Sequence, residues 1–259
     1  MATNIEWTDA TWNPSTGCTK VSPGCAHCYA ETLTKRYAGS PGWPETFLPW
    51  VPGNDTVVLH PDRLDAPLHW RTPRRVFVDS MSDLFHDDVP TDFILNVFRV
   101  MNDTPRHTYQ VLTKRSDRLA ALAPLLLWTP NIWIGVSVES NGYKSRIDDL
   151  RRVPAPDNRY RVRFVSFEPL LGELDHLNLT GIQWAICGGE SGPGARPMPL
   201  PWARKLLGDC RKSGTAFFMK QLGGVTDKRG GMSHFPHDLQ VREMPVGPAY
   251  QPSDEGEAA

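Results

Sequence analysis

Short apolar runs recurring along most of the chain, helical patterns between them, and polar residues at the run ends predict an α/β fold. The architecture expected is a single (β/α) barrel, TIM-barrel-like and either closed or incomplete, over residues 1–224. An extension over 225–259 follows it, rich in Gly and Pro and ending in a disordered tail, "QPSDEGEAA". The 259 residues, 40% hydrophobic and 22% charged, suffice for one such domain.

At the front, "IEWTDATWN" (5–13) is a first strand, and "CYAETLTKRYAG" (28–39) is a helix with Gly39 as its stop. Segment 40–74, with many Pro, Gly and Trp, reads as a long ordered excursion. Six further strands are expected at "RVFVDS" (75–80), "TYQVLTK" (108–114), "NIWIGVSVE" (131–139), "VRFVSFE" (162–168), "QWAICGGE" (183–190) and "AFFMKQ" (216–221). Each is a near-continuous apolar run, as strands buried on both faces require. They begin roughly every 20–35 residues, the length of a βα unit, so a parallel sheet with right-handed crossovers is expected.

"TDFILNVFRVMN" (91–102) opens with a Thr-Asp capping signal and places Phe93, Ile94, Val97, Phe98 and Met101 at helical spacing. "SDRLAALAPLLL" (116–127) and "NGYKSRIDDLRR" (141–152) are weaker helical patterns. "PWARKLLGDCRKSG" (201–214) is a helix with Pro201 at its start and Gly214 just past its end.

A net charge of −1 provides no global field for nucleic acid or an anionic membrane. The N-terminus "MATNIEWTDATWNP" lacks the basic and apolar regions of a secretory signal. The longest aliphatic run, "LAALAPLLLW" (119–128), is too short to span a bilayer and is broken by Pro124. The cytoplasm is the expected location. Disulfides rarely persist there, so clustered cysteines are expected to bind metal or to react.

A barrel carries its chemistry at the C-terminal ends of its strands. Those ends bear Asp79 and Ser80; Lys114 and Arg115; Ser137 and Glu139; Glu168; Gly188, Gly189 and Glu190; and Lys220. Strands also end where water begins, which accounts for polar residues at any single end. The glycines around 188–194 fit a backbone shaped to approach a ligand, and plain turn chemistry explains them equally. Lys114, Arg115 and Lys220 bring positive charge to the mouth. Glu139, Glu168 and Glu190 are there to bind an ammonium or a ribose hydroxyl, or to pair with those bases.

"TGCTKVSPGCAHCYAET" (16–32) holds Cys18, Cys25 and Cys28 in C-x6-C-x2-C spacing, on the connection from the first strand to the first helix. Three cysteines are one short of a complete tetrahedral protein site. His27 would complete a structural Cys3His zinc site, in an awkward position between two ligands. A buried incidental cluster is the bland reading. The third is a [4Fe–4S] cluster on three thiolates, with one iron free for a substrate or cofactor. Cys187 is a fourth ligand, a hydrogen-atom donor or simply a buried strand residue, and Cys210 fits a helix face. Trp7, Trp12, Trp43 and Trp50 either shield such a cluster or belong to the core.

The three-cysteine loop after the first strand resembles that of radical S-adenosylmethionine enzymes. "IEWTDATWNPSTGCTKVSPGCAHCYAE", with "SMSDLFH", "SFEPLLG" and "CGGESG", more closely resembles a phage-associated three-cysteine-motif family of unknown function, from Ile5 to about Gly224. The radical enzymes usually space their cysteines C-x3-C-x2-C, and their Gly-Gly-Glu motif follows the second strand. Here the loop is longer and "GGE" (188–190) lies four strands later.

The resemblance implies a [4Fe–4S] cluster on Cys18, Cys25 and Cys28 and S-adenosylmethionine on the free iron. Reductive cleavage would yield a 5′-deoxyadenosyl radical, with an electron donor such as a flavodoxin or ferredoxin as partner. Position assigns the cofactor to Asp79, Ser80, Ser137 and Glu139, and the literal motif adds Gly188, Gly189 and Glu190. Lys114, Arg115, Glu168 and Lys220 would face the substrate. A nucleic-acid component fits the phage link but has no support from charge. Two alternatives use other chemistry: a non-radical cluster enzyme binding a substrate or sulfur species, and a binding protein stapled by zinc or a cluster.

Overall fold

The computed structural model describes residues 3, 5–37, 57–154 and 162–245. The expected Gly39 stop, Trp43, Trp50, part of the excursion and the tail from 246 lie outside them.

Seven strands form one parallel sheet. They are β1 (Ala10–Trp12), β4 (Arg75–Val78), β5 (Thr108–Thr113), β6 (Ile132–Ser137), β7 (Arg163–Phe167), β8 (Trp184–Gly188) and β9 (Ala216–Gln221). Apart from β1, each strand neighbours its sequence predecessor in the sheet, and every ladder is parallel. A small antiparallel pair, β2 (Ser15–Thr16) and β3 (Val58–Leu59), ties the cysteine loop's start to the excursion.

Of the two forms expected, closed and incomplete, the barrel takes the incomplete one. Among the described residues no ladder joins β1 to β9, and the sheet is an open half-barrel. Eight strands close such a barrel, and seven leave two edges. The sheet nevertheless curls. Trp7, just before β1, meets Phe77 on β4 at 4.8 Å and Trp184 on β8 at 6.0 Å between ring centroids. Gln110 also donates from its side chain to the Trp7 carbonyl at 3.2 Å.

The two faces are filled differently. Alternate residues such as Val76, Val111, Ile134 and Val165 pack under the helices, in the larger core. Those helices are α2 (Thr91–Asp103), α3 (Ser116–Leu122), α4 (Ser145–Arg152) and α5 (Leu200–Ser213), while α1 (Tyr29–Tyr37) follows the cysteines. The concave face is filled by aromatics: Trp7, Phe77, Trp133, Phe164, Trp184 and Phe218. At Gly135 a Cβ would stand 2.5 Å from the Phe164 ring, so only glycine admits that ring.

Helix boundaries show two departures. The Thr91-Asp92 cap does not form; Pro90 occupies the cap position without a side-chain bond, and its carbonyl takes the amides of Phe93 and Ile94. α3 ends at Leu122 because Pro124 cannot continue it, and a 3-10 turn follows. α5 ends as expected, at Gly214 with φ 69°.

Past Val225 the chain packs back on the sheet. Phe235 and Leu239 are buried, and the Met219 amide donates to Val241 and the Glu243 amide to Phe217, covering the β9 edge. No helix among the described residues is long and apolar enough to cross a membrane.

Candidate functional site at the sheet rim

A cavity of about 130 Å³ opens at the C-terminal ends of the strands, on the concave side. Phe77 and Leu112 line its apolar part, where the aromatic filling ends. Cys18, Cys25 and Cys28 all line it, joined by Asp79, Ser80, Lys114, Arg115 and Ser137 from three strand ends. Eight of the sequence-selected positions thus share one space.

The cysteine loop is fixed by side chains from the whole rim. The Gly17 amide donates to the Met81 carbonyl at 3.0 Å, and Ser82 donates to the Gly17 carbonyl at 2.6 Å. Arg115 donates to the Cys18 sulfur at 3.3 Å and to the Thr19 carbonyl and hydroxyl at 3.2 and 2.8 Å. Its charge is met by Asp83 at 3.3 Å. Buried His86 bonds the Thr19 hydroxyl at 2.8 Å. Further on, the Gly24 amide points at Glu139 Oε1 at 3.4 Å, and Arg196 donates to the Pro23 carbonyl at 2.8 Å. His27 lies over Gly194, whose φ of 77° and lack of a Cβ both suit the contact: a Cβ there would be 2.8 Å from the ring.

The remaining predicted residues stand around this space. Glu139 is fully buried and pairs with Arg146 of α4 at 2.9 Å, beneath Gly24. Glu190 pairs with Arg196 at 2.5 Å; burial opposes its ionisation, yet the Arg196 hydrogen bonds prevail and hold it below the usual carboxylate range. Glu168 pairs with Lys220 at 2.9 Å and takes a bond from Ser166 at 3.1 Å. The glycines serve neighbouring protein groups. A Cβ on Gly188 would meet Glu168 Oε1 at 2.4 Å, and one on Gly189 would meet the Leu222 carbonyl at 2.1 Å. Buried Cys187 and Cys210 belong to the helix-side core.

Asp83, Arg146, Arg196 and His86 were not singled out by sequence reasoning. Asp83 and His86 sit in "SMSDLFH", where the signal was visible as a polar cluster directly after β4. Arg146 and Arg196 follow their partners Glu139 and Glu190 by seven and six residues, a spacing that carries no pairing signal until the strand-to-helix turn and the glycine loop fold each pair together. Asp79 adopts φ 55° and accepts bonds from the Ser15 amide and hydroxyl at 3.0 and 2.9 Å. Burial pushes its carboxyl up to about 7 against those bonds.

The donor set is thiol-rich, and thiolates are the ligands of zinc sites and of iron–sulfur clusters alike. Among the described residues no three His, Cys, Asp or Glu side chains stand close enough to hold a single metal ion. A cluster carries each thiolate on a different iron, so its ligands stand further apart around a shared space. Cys18, Cys25 and Cys28 line one such space. Burial pushes the Cys18 thiol up to about 12, with Asp83 adding to the rise and Arg115 opposing it. Ligation would therefore release a proton, as thiolate sites do.

Comparison with known proteins gives two matches and one blank. A solved structure, "Spore photoproduct lyase complexed with dinucleoside spore photoproduct", is similar over 77% of this chain at 11% identity and a TM-score of 0.43. This chain spans 60% of that one. No curated protein matches. The family described as "Protein of unknown function (DUF5131)" matches residues 2–247, nearly the whole length, and the chain belongs to that family.

Proposed function

We propose that the protein is a [4Fe–4S] enzyme of the radical S-adenosylmethionine type, with Cys18, Cys25 and Cys28 as cluster ligands. The observation that carries this reading is the meeting of all three thiols in one cavity at the rim of an open parallel sheet. When bound, such a cluster supplies one electron to a ligand at its free iron, here S-adenosylmethionine.

The protein's own residues hold, orient and enclose. Arg115 donates to the Cys18 sulfur, and hydrogen bonds to cluster sulfurs raise a cluster's potential. Asp79, Ser80 and Ser137 form a polar wall beside the cysteines, suited to an amino acid or ribose. Lys114, which lines the cavity, would face the substrate, with the Glu168–Lys220 pair as a further contact outside the lining. A flavodoxin- or ferredoxin-type donor is the partner that such chemistry requires. A nucleic-acid component as substrate rests on the phage resemblance alone.

The test is anaerobic purification with iron and sulfide analysis, then EPR of the reduced protein with and without S-adenosylmethionine. About four irons per chain and a spectrum altered by the cofactor are expected. An unaltered cluster spectrum would leave a non-radical cluster enzyme. Zinc without sulfide would overturn the reading in favour of a stapled binding protein.

A further inference from the structure

We infer that Lys114 forms an anion site in the rim cavity, which takes a phosphate or carboxylate group of a small-molecule ligand. This names the ligand class for the site proposed above, although the lysine's case stands on its own geometry. Five other cations around the cysteine loop and mouth each have a carboxylate: Lys20 has Glu31, Arg115 has Asp83, Arg146 has Glu139, Arg196 has Glu190 and Lys220 has Glu168. Lys114 differs. Among the described residues no carboxylate lies within ion-pair distance of its ammonium, whose hydrogen-bond partner is the Ser137 hydroxyl at 3.4 Å.

Half-buried Lys114 lines the cavity. A cation partly removed from water is stabilised by an opposite charge, so an unmatched one marks a place for an anion. Its backbone is fixed, because the Lys114 amide donates to Asp83 Oδ2 at 3.1 Å. The two cavity carboxylates are committed elsewhere. Asp83 accepts from Arg115, from Thr113 at 2.6 Å and from that amide. Both Asp79 oxygens are bonded to Ser15, and its carboxyl is pushed up to about 7, which weakens it as a counter-charge. Ser137, itself buried, lines the same cavity and offers its hydroxyl to the same anion.

The full-length chain, as isolated, is titrated calorimetrically at low ionic strength with inorganic phosphate and, separately, with acetate. Its iron is measured on the same sample. Saturable binding of at least one anion is expected. Lys114→Met should weaken it roughly 10- to 100-fold, the range for losing one charged hydrogen-bond partner. Ser137→Ala should weaken it less, and Lys212→Met, on an exposed helix end, should leave it unchanged. Phosphate tighter than acetate points to a phosphate-bearing ligand, and the reverse to a carboxylate. Circular dichroism establishes that each variant is folded, with Ser137→Ala as the second probe should Lys114→Met fail to fold. Binding of neither anion, or equal binding by folded Lys114→Met, would overturn the site. If both variants fail to fold, the lysine and serine are parts of the core and the inference is equally overturned. Anion failure in a sample with about four irons sinks the lysine site alone. Zinc in a sample that still binds phosphate sinks only the cluster reading.

Discussion

Glu139→Ala tests whether the rim side chains hold the cysteine loop. Glu139 is 0% exposed and receives Arg146 Nη1 at 2.9 Å. That same nitrogen donates to the Ser137 carbonyl at 2.8 Å, and the guanidinium lies 4.4 Å from the Tyr143 ring centre. Removing one partner of a buried pair costs about 3–5 kcal/mol, because the other charge is left uncompensated. The carbonyl and the ring keep part of the cation's solvation, which places the expected cost near the lower figure, about 3 kcal/mol. Arg146→Met leaves Glu139 with only the distant Gly24 amide and should cost a similar amount. The double variant should then be cheaper than the sum of the singles by about 1–3 kcal/mol. Urea denaturation of the metal-free chain, followed by tryptophan fluorescence, measures all three, with an unchanged m-value as the control. Iron retained after reconstitution is the second readout, and Glu139→Ala should lower it because Gly24 loses its support. Additive single effects below about 0.5 kcal/mol would refute the bracing argument.

Two further substitutions follow from local geometry. Gly189→Ala puts a Cβ 2.1 Å from the Leu222 carbonyl, a backbone atom that cannot swing away, and should cost at least about 2 kcal/mol by thermal denaturation. Asp79→Asn addresses pH. Folded Asp79 titrates near 7 because it is buried, whereas an unfolded aspartate titrates near 3.9. Between those values the folded state holds a proton that the unfolded state has lost. The contribution of Asp79 is therefore complete below about pH 4 and is lost as pH rises through 7. Urea midpoints at pH 5 and pH 8 should differ less in Asp79→Asn than in the unaltered chain, and equal differences would contradict the burial effect.

Most of the sheet was legible because parallel strands covered on both faces are apolar throughout, and every expected run contains an observed strand. The first strand was overextended: only Ala10–Trp12 pairs, since Asp9 turns to the Arg75 amide and guanidinium, and Asn13 to Ser80 and Met81. The cysteines and the ends of three strands were legible as one group, since they line a common cavity. The grouping of Glu139 with Arg146 and of Glu190 with Arg196 was not, because a carboxylate at a strand end looks the same whether it faces a ligand or a guanidinium. The glycines at 188 and 189 were ambiguous for a like reason. A missing Cβ signals close approach, and only the fold names the approaching group, here Glu168 and the Leu222 carbonyl.

The concave face explains why the cavity is confined to the rim. Trp184 stands among Trp7, Trp133, Phe164 and Phe218, with ring centroids between 5.6 and 6.0 Å from its own, mostly edge to face. Its indole nitrogen donates to the Glu243 carbonyl at 3.0 Å, which ties the returning C-terminal segment to the same plug. Nothing of ligand size enters past such a layer, so recognition falls to the strand ends and the loop above Phe77 and Leu112. Trp184→Ala should cost about 3–5 kcal/mol, from lost burial and an incompletely refilled void. Iron retention should stay unchanged in the folded variant, because Trp184 is not among the residues lining the rim cavity. Loss of iron at a temperature where Trp184→Ala remains folded would mean that the plug and the cysteine site behave as one unit, and that the rim is not set by its own ion pairs.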